Sequence, residues 1–368
     1  MITDIDMSEK EALLTIRNQI DETDQQLQAL LNKRTRLAEE VAKIKIASGE
    51  QLNDFYRPER EAMVLRKVIE RNEGPLDSSE MARLFREIMS ACLAAEKPLR
   101  VAYLGPEGSF TQVAALKQFG DSVQLDSMPT IAGVFHAVEA GHMNYGVVPI
   151  ENSTEGMVSH TLDRFLNTSL KINGEVSLRI HHHLLSKATE INDVTTIYAH
   201  PQALAQCRQW LSQYCPDCEL VAVNSNSEAA KLVSNKPYAA AIAGNHAAEI
   251  YTLSVLASNI EDEADNTTRF LVIGVQDVAS SGDDKTVLLV STENKPGALQ
   301  SLLKPLADSG ISMTRIESRP SGKGIWQYVF FIDIEGHCQD KKVAQALSLL
   351  EQSSSVCRIL GSYPKAVL

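Results

Sequence analysis

Between residues 13 and 44 the chain places aliphatic side chains at alternating intervals of three and four: Leu13, Ile16, Ile20, Leu27, Leu30, Leu37, Val41 and Ile44. Thr23 and Arg34 fill the two remaining positions of that series. The spacing is the seam of one long helix. It is predicted to start near Ser8, with Ser8 and Glu11 as a capping box, and to end at Ala47 before Ser48-Gly49. A second helix is predicted from Pro58, a favoured first-turn residue, turning Leu65, Val68 and Ile69 inward and stopping at Asn72–Pro75. A third starts near Asp77–Glu80 and repeats Met81, Leu84, Phe85, Ile88 and Cys92. A helix of about 40 residues spans ~60 Å, more than the two shorter helices can cover. Its seam therefore asks for a second copy of itself, an intertwined all-α homodimer over residues 1–97. Within that seam Arg34 costs desolvation unless an anion meets it.

Lys97-Pro98 breaks the helical pattern, and strands then alternate with helices through residues 99–276. Arg100–Leu104, Tyr145–Pro149, Thr196–Tyr198, Ala239–Ile242 and Phe270–Gly274 read as strands, Phe110–Phe119 and Ala203–Tyr214 as helices. This α/β region is long enough for two lobes around a cleft, with ligand at the strand C-terminal ends. A polar linker, Ala279–Asp284, leads into residues 285–368. There Val287–Val290, Ala298–Ala307, Ser312–Glu317, a Ser321–Gly324 turn, Trp326–Ile334, Lys341–Leu350 and Cys357–Leu360 give the order βαββαβ, a ferredoxin-like module.

Composition narrows the setting. With 368 residues, 44% hydrophobic and 22% charged, the chain reads as a soluble multidomain protein. No apolar run approaches the ~18 residues of a membrane span, and the acidic N-terminus lacks a signal pattern, so a cytoplasmic location is expected. A net charge of −12 argues against nucleic acid. It also requires local arginines to attract any small anion. Six cysteines lie scattered without a framework, Cys215 and Cys218 form a lone CxxC, and His181–His183 read as partly exposed strand histidines. No metal and no cofactor are expected.

Lys45 lies three helical turns after Arg34 and faces nearly the same way, so two long cations can converge on one ligand. Arg17 faces elsewhere, toward a partner's site in an intertwined dimer. Glu61 stands one turn before Leu65, and Glu96 one turn after Cys92. Arg86, like Lys43 and Lys67, reads as a solvated helix charge. The residues Leu14–Asp21 with Arg17, Leu30–Arg34, Val41–Lys45, Arg57-Pro-Glu-Arg60-Glu61 and Arg83–Phe85 closely resemble the all-helical class of chorismate mutase, over nearly all of residues 10–96. The resemblance implies that Arg34 and a partner's Arg17 hold the two carboxylates of chorismate. Lys45 and Glu96 would hydrogen-bond the ether oxygen, Glu61 would bind the hydroxyl, and Arg57 and Arg60 would line the site. Relatives often carry Gln at the Glu96 position. A carboxylate there donates only if burial raises its pKa.

In the central region Gly105–Thr111 follows a strand and opens a helix, a turn that suits an anion. Val148–Ser153 ends another strand with polar groups, and Asn266–Phe270 delivers a hydroxyl and a cation just before a buried strand. Together with His200-Pro-Gln202, these stretches resemble prephenate dehydratase over about residues 100–276. The resemblance implies Thr268 as the essential hydroxyl and Arg269 or the turn bearing Ser109 and Thr111 as the carboxylate site. Glu151, Asn152 and Ser153 would line the cleft, with His200 and Gln206 nearby. The last module resembles the ACT family through Asn294-Lys-Pro-Gly297-Ala298-Leu299 and Glu317-Ser318-Arg-Pro320. That resemblance implies phenylalanine bound by Gly297, Ala298, Leu299, Glu317 and Ser318 at a dimer interface.

The reading that follows is a bifunctional enzyme, taking chorismate through prephenate to phenylpyruvate under phenylalanine control. The alternatives are a dehydratase with a non-catalytic dimerising helical domain, and a non-catalytic amino-acid sensor.

Overall fold

The computed structural model describes residues 2–47, 56–293, 295–320 and 328–367, with side chains from residue 9 onward. The expected Ser48-Gly49 stop, Asn294, the Ser321–Gly324 turn and Trp326 lie outside the described residues. Helix α1 (Ile2–Ala47) starts earlier than expected, so Ser8 lies inside it and not at its cap. Helices α2 (Pro58–Glu70) and α3 (Ser78–Glu96) follow, α3 capped by Asp77, whose side chain accepts from Ser79 N–H.

Among the described residues, only the last third of α1 meets its own chain. Residues 9–33 are exposed throughout, whereas Arg34, Thr35, Ala38, Ala42 and Lys45 turn toward the rest of the fold. Thr35 Oγ1 lies 3.3 Å from Cys92 Sγ on α3. The aliphatic seam stands 47–69% exposed from Leu13 to Ile44, so nothing among the described residues covers it. Arg34 sits where the bare seam meets the packed face.

The face that α3 buries differs from the expected one. Ala82, Arg86, Ser90 and Cys92 are buried, while Leu84 is exposed. The reason is tertiary: α3 packs on the α/β region, where Ser90 meets Gly120 and Glu87 accepts from Asp121 N–H.

The α/β region comprises β1 (Arg100–Leu104), α4 (Phe110–Phe119), β2 (Gln124–Met128), α5 (Ile131–Glu139), β3 (Tyr145–Asn152), β4 (Gly156–Met157), α6 (Ser159–Phe165) and β5 (Lys171–Arg179). The chain then crosses to a second lobe. Its elements are β6 (His183–Ser186), β7 (Thr196–Ala199), α7 (Pro201–Gln206), α8 (Arg208–Tyr214), β8 (Glu219–Ala222), α9 (Asn226–Val233), β9 (Ala239–Ala243), α10 (Asn245–Tyr251) and β10 (Ser254–Ala257). It returns as β11 (Thr267–Gly274). The lobes have separate sheets, ordered β2-β1-β3-β11-β5 and β10-β6-β9-β7-β8. The helix expected over Ala203–Tyr214 is two helices that break at Cys207.

The C-terminal module runs β12 (Asp284–Ser291), α11 (Ala298–Asp308), β13 (Met313–Pro320), β14 (Tyr328–Glu335), α12 (Lys341–Ser353) and β15 (Val356–Pro364). Its antiparallel sheet is ordered β13-β14-β12-β15, which leaves β13 as an edge. This sheet shares one apolar core with the first lobe: Val287, Leu289, Phe331 and Tyr363 pack with Val148, Ile172 and Leu271. Gly361 makes the approach possible, because a Cβ there would lie 2.1 Å from Ile172 O. Arg66 of α2 ties down the linker, donating to Ser281 Oγ at 2.9 Å and Asp283 O at 2.7 Å.

Two candidate active sites

A cavity of about 270 Å³ opens among the three N-terminal helices, lined by Arg34, Val41, Lys45, Arg57, Arg60, Glu61, Cys92 and Glu96. Tyr56, Leu99 and Phe119 complete its wall, so the α/β region contributes to it. Helical phase brings Arg34 and Lys45 to one face of α1, as their spacing requires. Burial raises the Glu96 pKa, outweighing the opposing pull of Lys45 and Arg34. Glu61 is also raised by burial, against the pull of Arg86. Arg86 overturns the expectation of a solvated charge: it is buried, its Nε donates to Glu61 Oε1 at 3.0 Å, and its Nη1 donates to Lys117 O at 2.8 Å. Glu61 thus reaches the cavity already held by an arginine that the sequence did not single out. Arg17 is exposed on the bare part of α1 and does not line its own chain's cavity.

The second site forms where β11 re-enters the first lobe. Thr267–Arg269, expected to precede the strand, belong to it, with Thr268 opposite Asn152 and Arg269 opposite Glu151 on β3. The Asn152 amide has a fixed orientation. Its Oδ1 accepts from the backbone N–H groups of Thr154 (3.0 Å) and Glu155 (3.1 Å), so its Nδ2 must be the donor to Thr268 Oγ1 at 2.8 Å. Thr268 is the acceptor in that bond, which leaves its own O–H to donate.

The same polarity runs on into the second lobe. Asn152 Nδ2 also donates to Asn266 Oδ1 (2.9 Å), Asn266 Nδ2 to Gln206 Oε1 (3.2 Å), and Gln206 Nε2 to Thr154 Oγ1 (2.9 Å). Gln206 Oε1 also faces His182 Nε2 at 2.9 Å, so this ring nitrogen carries the proton. Burial lowers the His182 pKa and keeps the ring neutral. His182 is 2% exposed, which corrects its reading as a partly exposed strand residue. His182 and Thr154 belong to this network without being part of any motif, whereas Asn266 opens the Asn266–Phe270 stretch. For His182 the available signal is the alternation of the His181–His183 tract, which buries its middle member.

Other expected residues fall outside this network. Ser109 caps α4, accepting from Gln112 N–H and donating to Leu104 O, and Thr111 is buried in the first turn. Ser153 Oγ accepts from Thr267 N–H and closes the end of the β3–β11 ladder. Glu151 and Arg269 point to the opposite sheet face from Thr268, because successive strand residues alternate. Arg269 lies 2.8 Å from Glu175 and 2.6 Å from Asp333 of β14, so its guanidinium is engaged by the chain's own carboxylates. His200 caps α7, accepting from Gln202 N–H.

In the C-terminal module Gly297 takes a left-handed conformation (φ 77°) at the start of α11, followed by Ala298 and the exposed Leu299. Glu317 and Ser318 lie on the edge strand β13. Among the described residues no group of three His, Cys, Asp or Glu could hold a metal ion, and no helix is long and apolar enough to cross a membrane.

Fold and geometry together define a multidomain protein with two separate candidate active sites and a ferredoxin-like appendage. Residues 16–97 match the family "Chorismate mutase type II", residues 101–278 "Prephenate dehydratase" and residues 286–349 "ACT domain". A bifunctional chorismate mutase/prephenate dehydratase of Stutzerimonas stutzeri is 55% identical over 365 residues, covering 98% of this chain and 100% of the relative. Among solved structures, the prephenate dehydratase of Arthrobacter aurescens in complex with L-Phe is 34% identical (TM-score 0.67; 72% of this chain, 90% of that one). A quorum-quenching acylase, GqqA, is 30% identical (TM-score 0.66; 73% and 98%), so this two-lobed fold alone does not fix one chemistry. The chain belongs to the family of bifunctional chorismate mutase/prephenate dehydratases. It rearranges chorismate to prephenate, and it decarboxylates and dehydrates prephenate to phenylpyruvate.

Proposed function

We propose that the two reactions are divided between residues 1–97 and 99–276, with residues 285–368 sensing phenylalanine. The observation that carries the mutase assignment is the cavity that gathers Arg34, Lys45, Glu61 and Glu96. A pericyclic rearrangement needs a compact conformer and charge stabilisation at the breaking C–O bond, without a nucleophile. Arg34 and a partner's Arg17 hold the carboxylates, Lys45 and a protonated Glu96 donate to the ether oxygen, and Glu61 takes the hydroxyl. Arg57 and Arg60 stand beside them in the lining. The bare α1 seam supports a homodimer in which each chain supplies Arg17 to the other.

In the dehydratase step the ring carboxylate leaves as CO₂, and its bonding electrons expel the ring hydroxyl, which departs as water after gaining a proton. Hydroxide is a poor leaving group, so a positioned donor is needed. Thr268 is that donor, and Asn152 orients it. Phenylalanine is assigned to Gly297–Leu299 with Glu317 and Ser318. The support is the ACT match and the phenylalanine-bound relative. The six free thiols suit a reducing cytoplasm.

The test is to give purified protein chorismate and record its loss and the appearance of phenylpyruvate, with and without phenylalanine. Both changes should appear, with phenylpyruvate formation suppressed by phenylalanine. Chorismate left unconsumed removes the mutase assignment, and indifference to phenylalanine removes the sensor.

A further inference from the structure

The two residues beside the Asn152–Thr268 pair, Glu151 and Arg269, form the next cross-strand pair and point the other way, into the C-terminal module. There they enter a six-membered charge cluster. The first lobe contributes one cation and two carboxylates, Arg269 with Glu151 and Glu175. The C-terminal module contributes two cations and one carboxylate, Lys285 and Arg315 with Asp333. Three contacts cross the boundary, Arg269 to Asp333 at 2.6 Å, Arg315 to Glu151 at 3.4 Å and Lys285 to Glu175 at 2.6 Å, and Arg269 to Glu175 at 2.8 Å links them within the first lobe. Asp333 and Glu175 are 1% and 6% exposed, and removing their partners across the boundary would leave buried carboxylate charge less well paired.

We propose that Arg315 and Asp333 are positioning residues for the dehydratase reaction. Arg315 holds Glu151 and Asp333 holds Arg269. Each grip is one peptide unit away from a partner in the Asn152–Thr268 hydrogen bond. That bond is 2.8 Å long and weakens steeply when its geometry shifts. The C-terminal module thus completes the catalytic geometry besides carrying an effector. Arg319 reinforces the same strand, donating to Ser159 Oγ and Asp163 Oδ1, each at 2.7 Å, on the helix that follows β4. The proposal rests on the reading of Thr268 as the working hydroxyl.

The experiment uses full-length Arg315→Gln, Asp333→Asn, Glu151→Gln and the double variant Arg315→Gln/Glu151→Gln. Mutase activity in each sample serves as the folding control. Arg315→Gln is expected to lower dehydratase kcat about ten-fold while KM for prephenate stays within about two-fold. In the Glu151→Gln background the same change should add almost nothing, since both act through one contact. Asp333→Asn should resemble Arg315→Gln; if it fails to fold, Arg315→Gln and the cycle decide. An unchanged kcat in folded Arg315→Gln, a loss confined to KM, or losses that multiply in the double variant each overturn the proposal. Thr268→Val is run alongside, and a retained dehydratase kcat there overturns the Thr268 reading instead.

Discussion

Glu96 brings chemistry and ionisation into direct conflict. An ether oxygen accepts hydrogen bonds, so a carboxyl beside it helps only while protonated. Burial raises the Glu96 pKa, although Arg34 and Lys45 pull it down. The protonated, useful form is present below the raised pKa and disappears as pH rises through it. Mutase kcat at saturating chorismate should therefore fall with rising pH, and Glu96→Gln, a donor at every pH, should flatten the profile. A wild-type profile flat from about pH 5 to 9 would remove Glu96 from this role. Helical phase made Arg34, Lys45 and Glu96 legible in the sequence. Arg86 and Arg269 were not legible, because their partners Lys117 O and Asp333 lie 31 and 64 residues away and only tertiary packing brings them close.

Among the elements, α1 shows both the reach and the limit of periodicity. The three-four spacing correctly marks a continuous helix and an apolar seam. It does not mark which third of the helix packs on its own chain, since Arg34 belongs to the seam by spacing and to the cavity by contact. Replacing Arg34 with Leu removes a charge that costs desolvation when the seam is covered. Arg34→Leu should melt no lower than wild type and remain dimeric by size-exclusion chromatography, while losing mutase activity and keeping dehydratase activity. Unfolding, or the loss of both activities, would count against it. Strand β11 shows the complementary limit. Its first residues, Thr267, Thr268 and Arg269, are polar and so look like a loop, yet hydrogen bonds to β3 and β5 on both sides make them strand. The start of β3's turn and the start of β11 therefore face each other, and this pairing of two strand ends is what motif spacing cannot express.

For the whole molecule, the order of modules and their fold classes followed from where the apolar period changes, at Lys97-Pro98 and again at Ala279–Asp284. How they join did not follow. The C-terminal sheet shares its core with the first lobe, and Tyr56 packs with Phe119 and Tyr145 across the other boundary. The edge strand proposed to bind the effector also carries Arg315, which grips Glu151, so on these proposals ligand sensing and catalytic alignment share one element.

If a second chain covers the bare face of α1, as proposed, the two activities should obey different laws of mass action. On the proposed reading the mutase cavity takes Arg17 from a second chain, whereas Asn152, Thr268, Gln206 and His182 all come from one. On dilution into the range of the dimer dissociation constant, dehydratase turnover per chain should stay constant. Mutase turnover per chain should decline toward zero, with a midpoint that matches dissociation followed by light scattering or sedimentation. Equal specific activities at every concentration would mean that one chain completes both sites. If they diverge, the flux from chorismate is set by how much protein is present, beyond simple proportion, and the flux from prephenate is not.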